Sequence, residues 1–166
     1  MKIDVYRERD KLGTLLLLRE AFDSSKTLVE TKELVIRLVC RNTDNNEIVA
    51  HAAGYVREMD DSSSSFIGGI IGDVAVSAKF QKKGIATDLI KKIHLEFNRL
   101  GVKYSFLFAY NTKIYKKMGY SELTYPIKYY DIDDKKWNIY IYNGGMYHSF
   151  DGSLIKNNLN FNGRVY

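Results

Sequence analysis

The sequence predicts an α+β chain: a mixed, twisted β-sheet flanked by helices, in a single domain spanning residues 1–166. Apolar-rich runs at Leu34–Arg41, Glu47–Met59 and Phe66–Val76 follow one another with turn residues between them, the pattern of successive antiparallel strands. The period turns helical between Gly84 and Leu100, where Ala86, Leu89, Ile90, Ile93, Phe97 and Leu100 share a face opposite Asp88, Lys91, Lys92 and Glu96. A buried strand, Val102–Ala109, comes next, and a strand–helix–strand unit requires parallel pairing.

The remaining elements fit around this frame. Lys2–Arg7 alternates polar residues with Ile3 and Val5 and reads as an edge strand; such an edge is either left bare or paired with a second copy in a homodimer. A helix is expected from about Asp10 to Phe22, with Leu12, Leu15, Leu16 and Leu18 turned to a core, and the polar stretch Ser24–Thr31 has room for a second short helix. Asn42–Asn46 is turn chemistry and closes a hairpin. Asp60–Ser65 is a surface connection, and Gly68, Gly69 and Gly72 are expected to interrupt the strand that follows. Gly101 stands at a helix C-cap, a short helix from Thr112 to Met118 ends at Gly119, and Glu122–Tyr130 and Trp137–Tyr142 read as two further strands.

Composition excludes several classes. A hydrophobic share of 45% and a charged share of 27% belong to an ordinary globular chain. The single cysteine, Cys40, rules out an intramolecular disulfide and lies in an apolar run, so it reads as a buried thiol in a reducing compartment. No basic-then-apolar leader and no membrane-length apolar stretch is present, so a cytoplasmic location without a membrane partner is expected. The net charge is +5, but the basic residues are scattered as short pairs, whereas nucleic-acid readers concentrate them on one face. No nucleic-acid partner is expected. His51, His94, His148 and Cys40 show no metal-ligand spacing, so no metal is expected. His51 and His94 read as packed or surface histidines, a catalytic His51 being the alternative.

The informative stretch is Gln81-Lys82-Lys83-Gly84-Ile85-Ala86, between an apolar strand and an amphipathic helix. Backbone N–H groups at a helix N-terminus are unpaired and the helix dipole favours negative charge there, so a pyrophosphate can sit against them where no bulky Cβ intervenes. Gly84 and Ala86 meet that demand; a solvated turn ahead of a helix is the bland alternative.

This Gln-x-x-Gly-x-Ala segment, followed after the next strand by Tyr115-Lys116-Lys117-Met118-Gly119-Tyr120, resembles the GNAT superfamily of acyl-CoA N-acyltransferases over nearly the whole chain. The resemblance implies acetyl-CoA as acyl donor and no metal. It implies that the backbone of Gln81, Lys82, Lys83, Gly84, Ile85 and Ala86 holds the coenzyme A pyrophosphate, and that the Val74-Ala75-Val76 strand backbone pairs with the pantetheine arm. Tyr115 matches the tyrosine that protonates the departing thiolate; with 13 tyrosines in the chain, a packing role is the alternative. Asp73 is the candidate general base, but many relatives place the acidic residue one position earlier, where this chain has Gly72, so a structural Asp73 stands equally. Asn111 lies closer to Tyr115 than the family's asparagine and is expected only as a cofactor contact.

Within the superfamily the arrangement looks closest to aminoglycoside 2′-N-acetyltransferases, on Val49–Ala53, Gly72–Val76 and the tail Phe161–Tyr166. That implies a small cationic amine, an aminosugar or polyamine, held by Asp133, Asp134 and a carboxylate on Tyr166; an ordinary polar turn at Asp131–Asp134 is the alternative. A peptide or protein acceptor, or a non-catalytic coenzyme A-binding module, are the rival functions.

Overall fold

The computed structural model describes residues 1–141 and 143–166. The expected strand end at Tyr142 lies outside the described residues. In chain order the elements are β1 (Lys2–Val5), α1 (Lys11–Ala21), β2 (Leu34–Arg41), β3 (Ile48–Asp61), β4 (Ser65–Val76), α2 (Ile85–Arg99), β5 (Tyr104–Phe108), α3 (Lys113–Lys116), β6 (Ser121–Glu122), β7 (Ile127–Asp131), β8 (Lys136–Tyr140), β9 (Gly145–Ser149) and β10 (Leu159–Asn160). Short 3₁₀ turns precede α1 and follow β4. The strand order is β6-β9-β5-β4-β3-β10-β7-β8, with β2 also beside β3 and β1 beside β2. The sheet is mixed and the class is α+β, as expected. By its contacts the chain divides into two compact units, Met1–Tyr55 with Ile71–Glu96, and Val56–Ile70 with Phe97–Tyr166.

In the first unit β1 pairs antiparallel with β2, Ile3 opposite Cys40, and β2 with β3, Leu38 opposite Ala52. α1 packs Leu17 and Leu18 against Ala75 of β4, with Leu28 and Ile48 alongside. This corrects the expected helix face in part: Leu18 is buried as expected, but so are Thr14 and Leu17, and Leu12 and Leu16 are exposed. Four consecutive leucines, Leu15 to Leu18, point around the whole helix, so periodicity could not select the buried side. The segment after α1 forms no second helix; between Ser24 and Thr31 it is a turn followed by chain without regular secondary structure. Buried Asp10, just before α1, accepts the Arg7 N–H at 2.8 Å and the Arg41 guanidinium at 2.6 Å.

In the second unit β4 and β5 pair in parallel, Gly68 opposite Tyr104 through Ile70 opposite Phe106, while β4 continues to Val76. Beside Gly72 the strand departs from regular geometry at Asp73, φ +53°, but the expected interruption is absent at Gly68 and Gly69. They mark close approach instead: a Cβ at Gly69 would strike the Phe97 ring, and one at Gly68 the Met59 thioether. β9, missed by the sequence reading, pairs antiparallel with both β5 and β6, and β10 runs parallel to β7 and antiparallel to the end of β3. The core is aromatic: Phe66 meets Tyr104 edge to face at 5.2 Å, and Phe106 meets Phe161 at 4.8 Å.

Candidate active site

The loop between β4 and α2 is shaped by its backbone. Gly84 has φ +82° although a Cβ there would meet nothing within 4 Å, so conformation rather than space requires glycine. Lys82 also lies in the left-handed region, at φ +61°, a conformation unfavourable for a residue with a side chain. The Gln81 side chain donates to the Val76 carbonyl at 3.0 Å and closes the loop onto the strand end. The first helical hydrogen bond runs from Asp88 N–H to the Gly84 carbonyl, 3.1 Å, so the N–H groups of Gly84, Ile85, Ala86 and Thr87 precede the helical ladder. Lys82 and Lys83 flank them, exposed, and the Lys83 ammonium lies 5.1 Å from the centre of the Phe80 ring. These groups suit a pyrophosphate: donors from one turn of backbone, the positive end of a helix dipole and two cations.

On the strand itself, Val74 and Val76 are half-buried while Ala75 faces the Leu17–Leu18 cluster. Asp73 departs from strand geometry with φ +53° and is buried. Its carboxylate takes the Lys26 ammonium at 2.6 Å, and its carbonyl lies 2.8 Å from His51 Nδ1. Burial pushes the His51 pKa down to about 4 against the pull of the Asp73 carbonyl and charge, so the ring is neutral at pH 7. A neutral ring has one N–H, and opposite a carbonyl it must sit on Nδ1. Nε2 is then a buried acceptor, with no partner among the described residues. Asp73, offered by the sequence as base or structural residue, is therefore engaged at both ends. The sequence reading did not single out Lys26; its link to Asp73 joins distant segments and leaves no local signal.

Tyr115, on the short helix α3, is half-buried, with its ring 6.1 Å from Tyr120 and nearly perpendicular to it. Burial raises its pKa, which keeps the phenol protonated. Tyr120 is buried and its hydroxyl lies 2.8 Å from Ser105 Oγ; burial raises its pKa too. Gly119, at φ +83°, turns the chain between them. Asn111 Oδ1 accepts the Lys113 N–H at 3.2 Å and so tethers the start of α3.

The acceptor candidates lie in the second unit. Asp133 and Asp134 are exposed in the β7–β8 turn, their N–H groups donating to Asp131 Oδ1 at 3.0 and 3.1 Å, and the Asp134 carboxylate pairs with Lys136 at 2.9 Å. The Tyr166 ring is approached by two guanidiniums, Arg164 at 4.5 Å and Arg57 at 5.3 Å. Among the described residues no group of His, Cys, Asp or Glu is arranged to hold a metal ion, and no helix is long and apolar enough to cross a membrane.

The family profile described as "Acetyltransferase (GNAT) domain" matches residues 2–123. Solved structures similar to the chain include the GNAT family N-acetyltransferase YhbS of Escherichia coli in complex with CoA: 16% identity over 96% of this chain and 88% of that one, TM-score 0.69. A GNAT family acetyltransferase of Brucella melitensis in complex with acetyl-CoA aligns at 15% identity over 95% of this chain and 93% of that one, TM-score 0.64. Glucosamine-6-phosphate N-acetyltransferase of Arabidopsis thaliana aligns at 15% identity over 70% and 88%, TM-score 0.56. No curated protein matches the chain in sequence.

Proposed function

Because the chain belongs to the GNAT acetyltransferase family, we propose that it moves the acetyl group of acetyl-CoA to the primary amine of a small cationic molecule, by direct attack in a ternary complex. The transferase activity and the acetyl-CoA donor come with the family; the acceptor class and the role of each residue are the proposal. One observation supports the donor side above the rest: the N–H groups of Gly84 to Thr87, ahead of the first helical hydrogen bond and beside Lys82 and Lys83. Gln81, Ile85 and Ala86 complete that loop, and the Val74-Ala75-Val76 backbone is assigned to the pantetheine arm.

In the reaction the amine lone pair forms the new C–N bond while the C–S bond breaks. Tyr115 gives its phenolic proton to the departing thiolate, a role its protonated state permits, and regains one as the nitrogen releases its own. The proton that the substrate ammonium must lose before attack is a separate one; Asp73 is already paired with Lys26, which weighs against its taking that proton, so water takes it. Catalysis then rests on orientation of amine and thioester. Asn111, whose side chain tethers the start of α3, the helix that carries Tyr115, is kept as a cofactor contact.

Asp133 and Asp134 are the exposed carboxylates assigned to attract a substrate ammonium, Asp134 sharing its charge with Lys136. The guanidiniums beside Tyr166 oppose a cation at the tail, so the attraction is assigned to the hairpin turn alone. A reducing, cytoplasmic setting suits the buried Cys40 thiol.

Calorimetric titration with acetyl-CoA, followed by thiol release against aminoglycosides, polyamines and peptides, tests the proposal. Cofactor binding with release on the polyamines or aminosugars supports it. Release on peptides alone replaces the acceptor class, and binding without release on any amine favours a coenzyme A-binding module.

A further inference from the structure

We infer that His51 and Lys26 are positioning residues: together they hold Asp73 in its left-handed conformation and thereby fix the direction of the Val74–Val76 segment, an inference that rests on the acetyltransferase reading above. A left-handed residue inside a strand breaks the alternation of faces and redirects the chain beyond it. Aspartate enters this region more readily than most residues with a Cβ, but inside a strand it does so at a cost that its surroundings must offset.

Two ties impose it, one at each end of the residue. The backbone carbonyl receives the Nδ1–H of His51 from β3, at 2.8 Å, and the carboxylate receives the Lys26 ammonium, at 2.6 Å. Neither tie is loose. His51 is fully buried, and Lys26 sits in a stretch pinned by its own N–H to the Asp23 carbonyl, by the Arg19 guanidinium on its carbonyl and by Leu28 in the cluster that contains Ala75. Ala75 is two residues beyond Asp73, so the ties and the strand they direct share one packed region.

The Nε2 of His51, without a partner among the described residues, points the same way. A buried ring nitrogen without a partner is destabilising, and an aliphatic side chain would fill the space without that cost. The other nitrogen gives the imidazole its use: a neutral, fixed donor for one carbonyl. With its side chain only 4% exposed and ion-paired, Asp73 serves as the piece being held.

The test compares Asp73→Asn, Asp73→Gly and Asp73→Ala with His51→Asn and His51→Leu in the full chain. Two ligands are titrated: acetyl-CoA, and 3′-phosphoadenosine 5′-diphosphate, which has the phosphates but no pantetheine arm. Asn and Gly tolerate left-handed backbone and Asn can donate from near the position of Nδ1. Asp73→Ala and His51→Leu are therefore expected to weaken acetyl-CoA about tenfold while the arm-less nucleotide changes less than about twofold. Asp73→Gly and His51→Asn should recover most of that loss, and Asp73→Asn, which keeps the tolerance for left-handed backbone but loses the Lys26 ion pair, part of it.

The inference is overturned if all three Asp73 variants lose turnover equally with acetyl-CoA affinity intact, because that marks a reacting carboxylate. It is equally overturned if both ligands weaken together, because the residues then act only on the fold at large. Failure of the unaltered protein to bind acetyl-CoA is a different outcome and removes the acetyltransferase reading itself. Should Asp73→Ala not fold, the His51→Leu and His51→Asn pair carries the same test.

Discussion

Two turns of this molecule look alike in sequence and differ in what their backbone leaves free. The loop before α2 and the turn between β7 and β8 are both short, polar and lysine-bearing, and each holds a lysine in the left-handed region, Lys82 at φ +61° and Lys135 at +52°. In the hairpin the polar groups answer one another: Asp131 accepts from the N–H groups of Asp133 and Asp134 and from the Asn138 amide, and Lys136 pairs with Asp134. In the loop the Gln81 side chain returns to the strand, but the N–H groups from Gly84 to Thr87 precede the first helical bond. Charge alone does not mark a binding site; uncommitted donors held in a fixed geometry do.

The largest effect expected from this division is on turnover. If the loop carries cofactor affinity and α3 carries proton delivery, Tyr115→Phe lowers kcat by about a thousandfold and leaves the acetyl-CoA dissociation constant unchanged. Steady-state kinetics beside calorimetry checks this. Parallel losses of both quantities would show that the Tyr115 ring packs rather than reacts, and a normal kcat would remove its assigned role.

Commitment of polar groups has its clearest structural consequence at Asp10, where burial alone would raise the carboxyl pKa but the Arg41 guanidinium and the Arg7 N–H bring it below the usual value. Arg41→Ala leaves a buried carboxylate without its cation and should cost about 3 kcal/mol of folding stability at pH 7. Because the folded pKa lies below the unfolded one, this contribution is present above the unfolded value of about 4 and fades as the pH falls through the folded value. Urea unfolding between pH 7 and pH 3 should therefore show a shallower acid dependence for Asp10→Asn than for the unaltered chain. An identical slope would mean that Asp10 does not drive it.

At the loop, Gly84→Ala asks a residue with a Cβ to adopt φ +82°, although nothing nearby obstructs the new atom. The expected loss of acetyl-CoA affinity is about tenfold, with stability lowered by about 1 kcal/mol through the strained backbone. Unchanged affinity would show that the loop holds its ligand through Lys82 and Lys83 rather than through backbone geometry.

How much of this was legible follows from the same distinction between local and distant demands. Gly84, Gly101 and Gly119 announce left-handed backbone in the sequence itself, and all three occur where a helix begins or ends. The apolar face of α2 was legible because Leu89, Ile90, Ile93 and Phe97 alternate with charges, whereas Leu15 to Leu18 carry no phase and the face of α1 was misread in part. β9 begins at Gly145, the second of two adjacent glycines and a poor strand former, and β10 has two residues, too few for any period. Gly68 and Gly69 read as breaks, but they are contacts with Met59 and Phe97 that only packing reveals. The tie from Lys26 to Asp73 joins a segment that lacks helix and strand to the middle of a long strand, and neither residue's neighbours in sequence announce it.

The smallest effect is expected at the hairpin. Asp134→Asn removes one exposed carboxylate already shared with Lys136, and such charges act on a substrate mainly through water. For a polyamine acceptor KM should rise about twofold in low salt and hardly at all near 0.5 M, with kcat unchanged. Asp133→Asn, at a carboxylate with no ion pair among the described residues, should act somewhat more strongly in the same direction. If neither substitution changes KM at any ionic strength, the turn is a closed hydrogen-bonded structure and nothing more, and the acceptor's ammonium must be sought elsewhere in the second unit. If the KM of a neutral amine rises as much as that of a polyamine, the substitutions have disturbed the hairpin's shape and the electrostatic reading of Asp133 and Asp134 falls with them.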